Sequence, residues 1–325
     1  MQAGRAASLA ALLACCAVLP VILPRDTFQF TIVLSAGFAG FAVALLLEAG
    51  LLSFGHALFY GIGGYTVAAL SPPVSHFAVV LILAGAIAGA VTAVLTGLFV
   101  VRYRGVFFAM LNLAMAMVAY SILLKSYNLT GGSDGLVVDV SGIVGAQLSP
   151  QAFGRWLFYF SLGSALLLGA VMRRYLRSPA GWALGAIEDR EIRVEYLGIS
   201  ANRVLLQAYT LSGFLAGLGG AISATAVGHV APDAVYWTTS TEFVVIAVLG
   251  GRGVLGPFLG AALYELLSIS ASQYLSNSWQ ILLGAVILLV IRFARGGLSG
   301  LVNTCEAMLW PDRMRERGLP RGHIR

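Results

Sequence analysis

Seven stretches of this chain, at 6–23, 28–47, 77–101, 106–124, 156–172, 204–227 and 279–291, stand out as apolar candidates for crossing a lipid bilayer, which takes about 20 such residues. Hydrocarbon offers no partner for backbone N–H and C=O groups, so spans of this kind fold as helices. The expected class is an all-α polytopic membrane protein. Three further segments are less regular. Residues 51–70 are interrupted by Gly55, Gly61, Gly63 and Gly64; 235–250 is short; and 254–274 follows a Gly-Gly-Arg-Gly break and carries Gly256-Pro257 near its start. With these included, about ten transmembrane or partly spanning helices are expected. Interrupted segments of transporters line the path, because irregular backbone at membrane depth must be covered by protein or water. Close helix packing through small residues is the alternative, and the sequence leaves both open.

Charge distribution supports this class and gives it an orientation. Only 10% of residues are charged, against about 25% in soluble domains. The net charge of +6 is not a nucleic-acid footprint, since the basic residues cluster at the ends of apolar runs. Ten crossings from a cytoplasmic N-terminus place Arg102, Arg104, residues 173–203, Arg252 and the tail from Arg292 inside. Arg25, Lys125 and Arg155 fall outside. A secretory signal is the competing reading of the first stretch, behind Arg5, but Val21-Ile22-Leu23-Pro24-Arg25 offers no small-residue cleavage site, so a retained helix is expected. The organisation is then a transmembrane domain over 1–291, with a cytoplasmic segment at 173–203, and a basic cytoplasmic tail over 292–325. Cys15, Cys16 and Cys305 have no disulfide or metal-site spacing.

The segment 173–203 holds ten charged side chains and must lie outside the lipid. Ser178-Pro179 at its start and Gly198 near its end bracket a helix over 180–198. Leu184, Ile187, Val194 and Leu197 form its apolar stripe, interrupted by Glu191. Solvation accounts for the charges; a docking helix for a cytoplasmic subunit also accounts for a compact mixed-charge helix at mid-chain.

An energised transporter must carry its own nucleotide site or borrow one. Lys125 is the sole lysine and no Gly-x-x-x-x-Gly-Lys-Ser/Thr loop precedes it, so the chain forms no Walker-type phosphate cradle. His56, His76, His229 and His323 are far apart and show no zinc-ligand spacing. Glu48, Glu242 and Glu265 border or enter apolar segments and motivate an ion-coupled carrier; Glu48 and Glu242 also read as solvated helix ends. Asn112, inside an apolar run, needs partners on a neighbouring helix or in a hydrated path. The long connection over 126–154 contains glycines suited to tight turns, and is also a candidate docking surface for an extracytoplasmic partner.

Four blocks, in order, carry a resemblance. Ala-Gly-Leu-Leu-Ser-Phe-Gly-His-Ala-Leu-Phe-Tyr-Gly-Ile-Gly-Gly-Tyr (49–65), Leu-Thr-Gly-Gly-Ser-Asp-Gly-Leu (129–136), Arg-Ser-Pro-Ala-Gly-Trp through Glu-Tyr-Leu-Gly-Ile (177–199) and Val-Leu-Gly-Gly-Arg-Gly-Val-Leu-Gly-Pro (248–257) are similar to the LivM-type permease subunits of branched-chain amino acid ABC importers. The resemblance implies the ABC importer permease fold in a bacterial inner membrane. It implies three classes of partner besides lipid and no nucleic acid: a second homologous permease subunit, two cytoplasmic ATPase subunits that bind the ATP, and an extracytoplasmic substrate-binding protein. No cofactor is expected on this chain, and no enzymatic activity. The ATPase contact is carried over onto Glu188, Asp189, Arg190, Glu191, Arg193 and Gly198. Ser53, His56 and Asn112 are the polar candidates for the translocation pathway. The chain departs from the pattern at Val43, Leu47 and Glu48, where many members have Asn, Gly and Tyr, and at Trp182 and Gly185, where Arg is common. The implied mechanism is alternating access for branched-chain amino acids or related small polar solutes, with an ion-coupled secondary transporter or passive channel as the alternative.

Overall fold

The computed structural model describes residues 26–74, 77–140, 142–143, 148–251 and 253–274, with isolated positions between 284 and 300. The first apolar stretch, most of the last one and most of the basic tail lie outside the described residues, as does Arg252. The helices are α1 (Thr27–Leu47), α2 (His56–Val74), α3 (Ala78–Val100), α4 (Gly105–Lys125), the single turn α5 (Tyr127–Thr130), α6 (Pro150–Leu176), α7 (Pro179–Tyr196), α8 (Ala201–Val227), α9 (Trp237–Gly250) and α10 (Gly256–Tyr274). Five of them, α1, α3, α4, α6 and α8, are long and apolar enough to cross a bilayer. The chain is an all-α polytopic membrane protein.

The middle of the bundle is α1 and α8, buried over 72% and 67% of their most apolar windows, against 28% for α4 and for α6. The outer helices expose Leu95, Phe107, Met110 and Leu167, the kind of surface that lipid covers. α6 starts six residues before its expected span. Ser149 accepts from the Ala152 N–H at 3.4 Å and Pro150 takes the first helical position, so capping sets this boundary, not hydropathy.

Between α3 and α8 the helices meet backbone to backbone. A Cβ on Gly89 would lie 2.6 Å from the Gly213 carbonyl oxygen, and one on Gly217 would lie 2.9 Å from that of Gly85. Gly63 of α2 meets Gly217 as well. At these positions the interrupted segment serves close packing, the small-residue contact that replaces hydrophobic driving force inside lipid.

The connections sort to two ends. At one end, the turn after α1 meets α7 (Gly50 against Glu188), and the α3–α4 turn meets α7 and the start of α8 (Arg104 with Glu191 and Asn202). At the other, Leu136–Val137 (β1) pairs antiparallel with His229–Val230 (β2), the Asp134 carbonyl bonds the His229 ring at 2.8 Å, and the Ala78 N–H donates to Gly142. Gly131, Gly132 and Gly135 take positive φ there, as the sequence leads one to expect. Among the described residues the first end carries Arg102, Arg104, Arg173, Arg174, Arg177, Arg190, Arg193 and Arg203; the second carries Lys125 and Arg155. It is the basic end.

Candidate functional site

Two regions hold the candidate residues: a buried cluster between α2, α4, α8 and α9, and the surface of α7 at the basic end.

After α1 the chain turns at Gly50 (φ 68°), re-enters the protein and does not resume helix until His56. Leu51, Ser53 and Gly55 are buried there. The glycine at position 55 is required by contact, since a Cβ would stand 2.8 Å from the Asn112 carbonyl oxygen and 2.9 Å from the Asn112 Cβ. Asn112 lies seven residues into α4, about 10 Å from its basic end at 1.5 Å per residue. Irregular backbone therefore reaches well into the membrane, where protein buries it at Leu51, Ser53 and Gly55. The first N–H groups of α2 need acceptors at that depth. The Ala57 N–H finds one in Ser240 Oγ of α9 at 2.9 Å, and the Gly55 N–H finds another in Ser53 Oγ at 3.3 Å.

Ser53, His56 and Asn112 are thus gathered around one buried junction, each at most 1% exposed. Asn112 Nδ2 donates to the Phe108 carbonyl at 2.8 Å, and Asn112 Oδ1 accepts from the Tyr209 hydroxyl of α8. The His56 ring sits edge-on to Phe59, which sits edge-on to Tyr209. Both ring nitrogens lack a hydrogen-bond partner among the described residues, although the ring lies beside the Ser53 backbone. One turn further from the basic end, the Tyr60 hydroxyl is 3.0 Å from Ser35 Oγ, which itself donates to the Gly219 carbonyl at 2.8 Å. Tyr60, Gly64, Ser223 and His229 line a cavity of 230 Å³ that opens toward the end opposite the basic one. On its basic-end side Phe59, Phe108 and Tyr209 are fully buried and meet edge to face around Tyr209.

α7 begins as the sequence predicts: Ser178 Oγ accepts from the Gly181 N–H at 3.4 Å, and Pro179 follows. It is not one straight helix. Arg190 has φ −160° and ψ 103°, a break that divides α7 into two pieces. Leu184, Ile187 and Val194 are buried, as expected of the stripe, but Leu197 is 78% exposed. Val194 keeps to the stripe past the break, but Leu197 is the C-cap at the end of α7, where Gly198 (φ 80°) turns the chain away. Glu188 lies against Gly50, and Glu191 reaches Arg104. Asp189, Arg190, Arg193 and Gly198 are exposed, beside Ile192, Tyr196 and Trp182 at 66%, 86% and 74%.

The acidic candidates separate. Glu48 caps the end of α1, as expected of a boundary residue. Glu242 is no helix end: it is the sixth residue of α9, about 12 Å from the basic end of that helix. The Tyr264 hydroxyl and the Glu265 carboxylate of α10 are its neighbours. The sequence did not point to Tyr209, Ser240, Ser35, Tyr60 or the specific partner of Arg104. Each is defined by a contact across 25 residues or more, and only the charge of Arg104 in a short turn between spans signals that a partner exists.

Residues 26–291 match the model of the family described as the permease component of branched-chain amino acid transport systems. Two curated proteins, the high-affinity branched-chain amino acid transport system permease protein LivM of Salmonella typhimurium strain LT2 and that of Escherichia coli strain K12, are each 29% identical over 271 residues. The match covers 77% of this chain and 64% of each relative, so the chain spans less than two thirds of their length. No solved structure matches.

Proposed function

We propose, for a chain that belongs to the family of branched-chain amino acid transport system permease components, that it is one transmembrane half of an ABC importer. In this reading it pairs with a second homologous permease, receives branched-chain amino acids or related small polar solutes from an extracytoplasmic binding protein, and is driven by two cytoplasmic ATPase subunits. The basic end faces the cytoplasm of a bacterial inner-membrane protein, following the positive-inside bias, with both termini on that side.

The observation that carries the reading is α7. It is an exposed, mixed-charge, broken helix at the basic end, with ordered contacts to two other connections on its inner side and none of the described chain on its outer side. Asp189, Arg190, Arg193 and Gly198 form the ATPase-facing part; Glu188 and Glu191 belong to the same coupling segment but face their own chain. An apolar centre of Ile192, Tyr196 and Leu197 ringed by charge is the anatomy of a protein interface. A membrane-surface helix would instead carry Lys and Arg along its polar face. Ser53, His56 and Asn112 sit where a path would pass between α2 and α4, closed in this conformation by the aromatic layer beneath the 230 Å³ cavity. Movement of α7 would shift the population toward the opposite opening.

The mid-depth carboxylates Glu242 and Glu265 favour the competing ion-coupled carrier, since intramembrane acids serve proton and cation relays. Reconstitution separates the two. Uptake that requires ATP, both ATPase subunits and the binding protein is the expected result. Accumulation by this chain alone on a proton or sodium gradient would overturn it.

A further inference from the structure

Arg104 ends the short turn between α3 and α4, and its guanidinium is fully engaged. Nε donates to Glu191 Oε2 at 2.8 Å and Nη2 to Glu191 Oε1 at 2.6 Å. Nη2 also reaches Asn202 Oδ1 at 2.8 Å, and Nη1 donates to the carbonyls of Tyr103, at 3.0 Å, and Val101. These contacts use the five N–H donors an arginine has, in the forked geometry that a lysine cannot copy.

The partners come from three parts of the chain. Glu191 is the first residue past the break at Arg190, Asn202 is in the first turn of α8, and the carbonyls belong to the end of α3 and its turn. α3 and α8 are in turn locked together through Gly85, Gly89, Gly213 and Gly217. One side chain therefore ties the second piece of α7 to a rigid pair of spans. The first piece of α7 is separated from this tie by the only residue inside the helix with non-helical backbone angles among the described residues.

We infer that Arg104 is a positioning residue for energy coupling: through Glu191 and Asn202 it makes the post-break piece of α7 move with α3 and α8. The inference rests on the importer reading above and deepens it by naming the joint. A displacement of α7 by a cytoplasmic subunit is then delivered to the spans at Arg104. Without the tie, the second piece of α7 swings at the break and the ATP is spent without moving the spans.

The test measures substrate taken up per ATP hydrolysed by the complete complex in proteoliposomes. R104E and E191R should each lower this ratio about tenfold while the ATPase subunits still co-purify, a coupling worth about 1.4 kcal/mol by the tenfold rule. The exchanged pair R104E/E191R should return to within about threefold of wild type. Because charge reversal can spoil folding, R104Q and E191Q provide milder versions, expected to lower the ratio in the same direction, and R104K, lacking the fork, should fall between. An exchanged pair no better than the single variants, or neutral variants that keep the wild-type ratio, overturns the joint. Wild-type complex that shows no ATP-dependent uptake overturns the importer reading itself, and is told apart by needing no variant at all.

Discussion

At the scale of single residues, the buried junction depends on polar atoms that must satisfy one another far from water. Tyr209→Phe leaves Asn112 Oδ1 without its donor, and should cost about 1 kcal/mol, in line with interhelical hydrogen bonds in membranes. Adding Asn112→Leu to that variant should recover part of the loss, because the unpaired acceptor is gone. Thermal unfolding in detergent measures both, and a double variant less stable than Tyr209→Phe would show that packing, not hydrogen bonding, holds the site. His56 is the opposite case. Among the described residues its two buried ring nitrogens meet no hydrogen-bond geometry, with only the Ser53 backbone beside the ring, so His56→Leu should raise the melting temperature. Uptake assayed on the same variant then reports function separately from fold, and a fall in uptake with a gain in stability would place His56 on the path.

At the scale of elements, the helices were legible because lipid imposes a coarse rule that the sequence must obey. α1, α3 and α4 begin and end within about two residues of their apolar runs. What was not legible follows from the same rule. Apolar runs say nothing about caps, so α6 starts earlier than expected, at Ser149 and Pro150. They say nothing about where a helix stops, so Leu197 was assigned to a buried stripe that continues through Val194 and ends with α7 itself, Leu197 being its C-cap. The re-entrant turn before α2 was visible only as a cluster of glycines; which of them pack on α8 and which admits Asn112 is decided by residues more than 50 positions away. Gly89→Leu should force α3 and α8 apart and abolish folded yield in size-exclusion profiles, while Gly163→Ala, with nothing within 4 Å, should leave the profile unchanged. On α7, replacing Tyr196 and Leu197 with serine should weaken co-purification of the ATPase subunits about tenfold without loss of yield, since both side chains are exposed and support no core. Retained co-purification would move the contact to the charged residues.

At the scale of the whole molecule, the two ends are chemically distinct, and that distinction is open to a direct test. In a background lacking Cys15, Cys16 and Cys305, Ala186→Cys should react with a membrane-impermeant maleimide only after the bilayer is opened. Ser133→Cys, at the opposite end, should react in intact cells; both residues are exposed. The reverse pattern would invert the topology. The sorting of connections into two ends was read from arginine positions alone, whereas the residues that fasten each end were not, because a two-residue pairing such as β1 with β2 leaves no periodic trace in sequence. That pairing has a mechanical meaning. It joins the chain beyond α5 to the chain just after α8 with backbone hydrogen bonds, which do not depend on side-chain identity. The rim of the molecule is stapled there, so an opening at this end that keeps the pairing intact must part along a different seam.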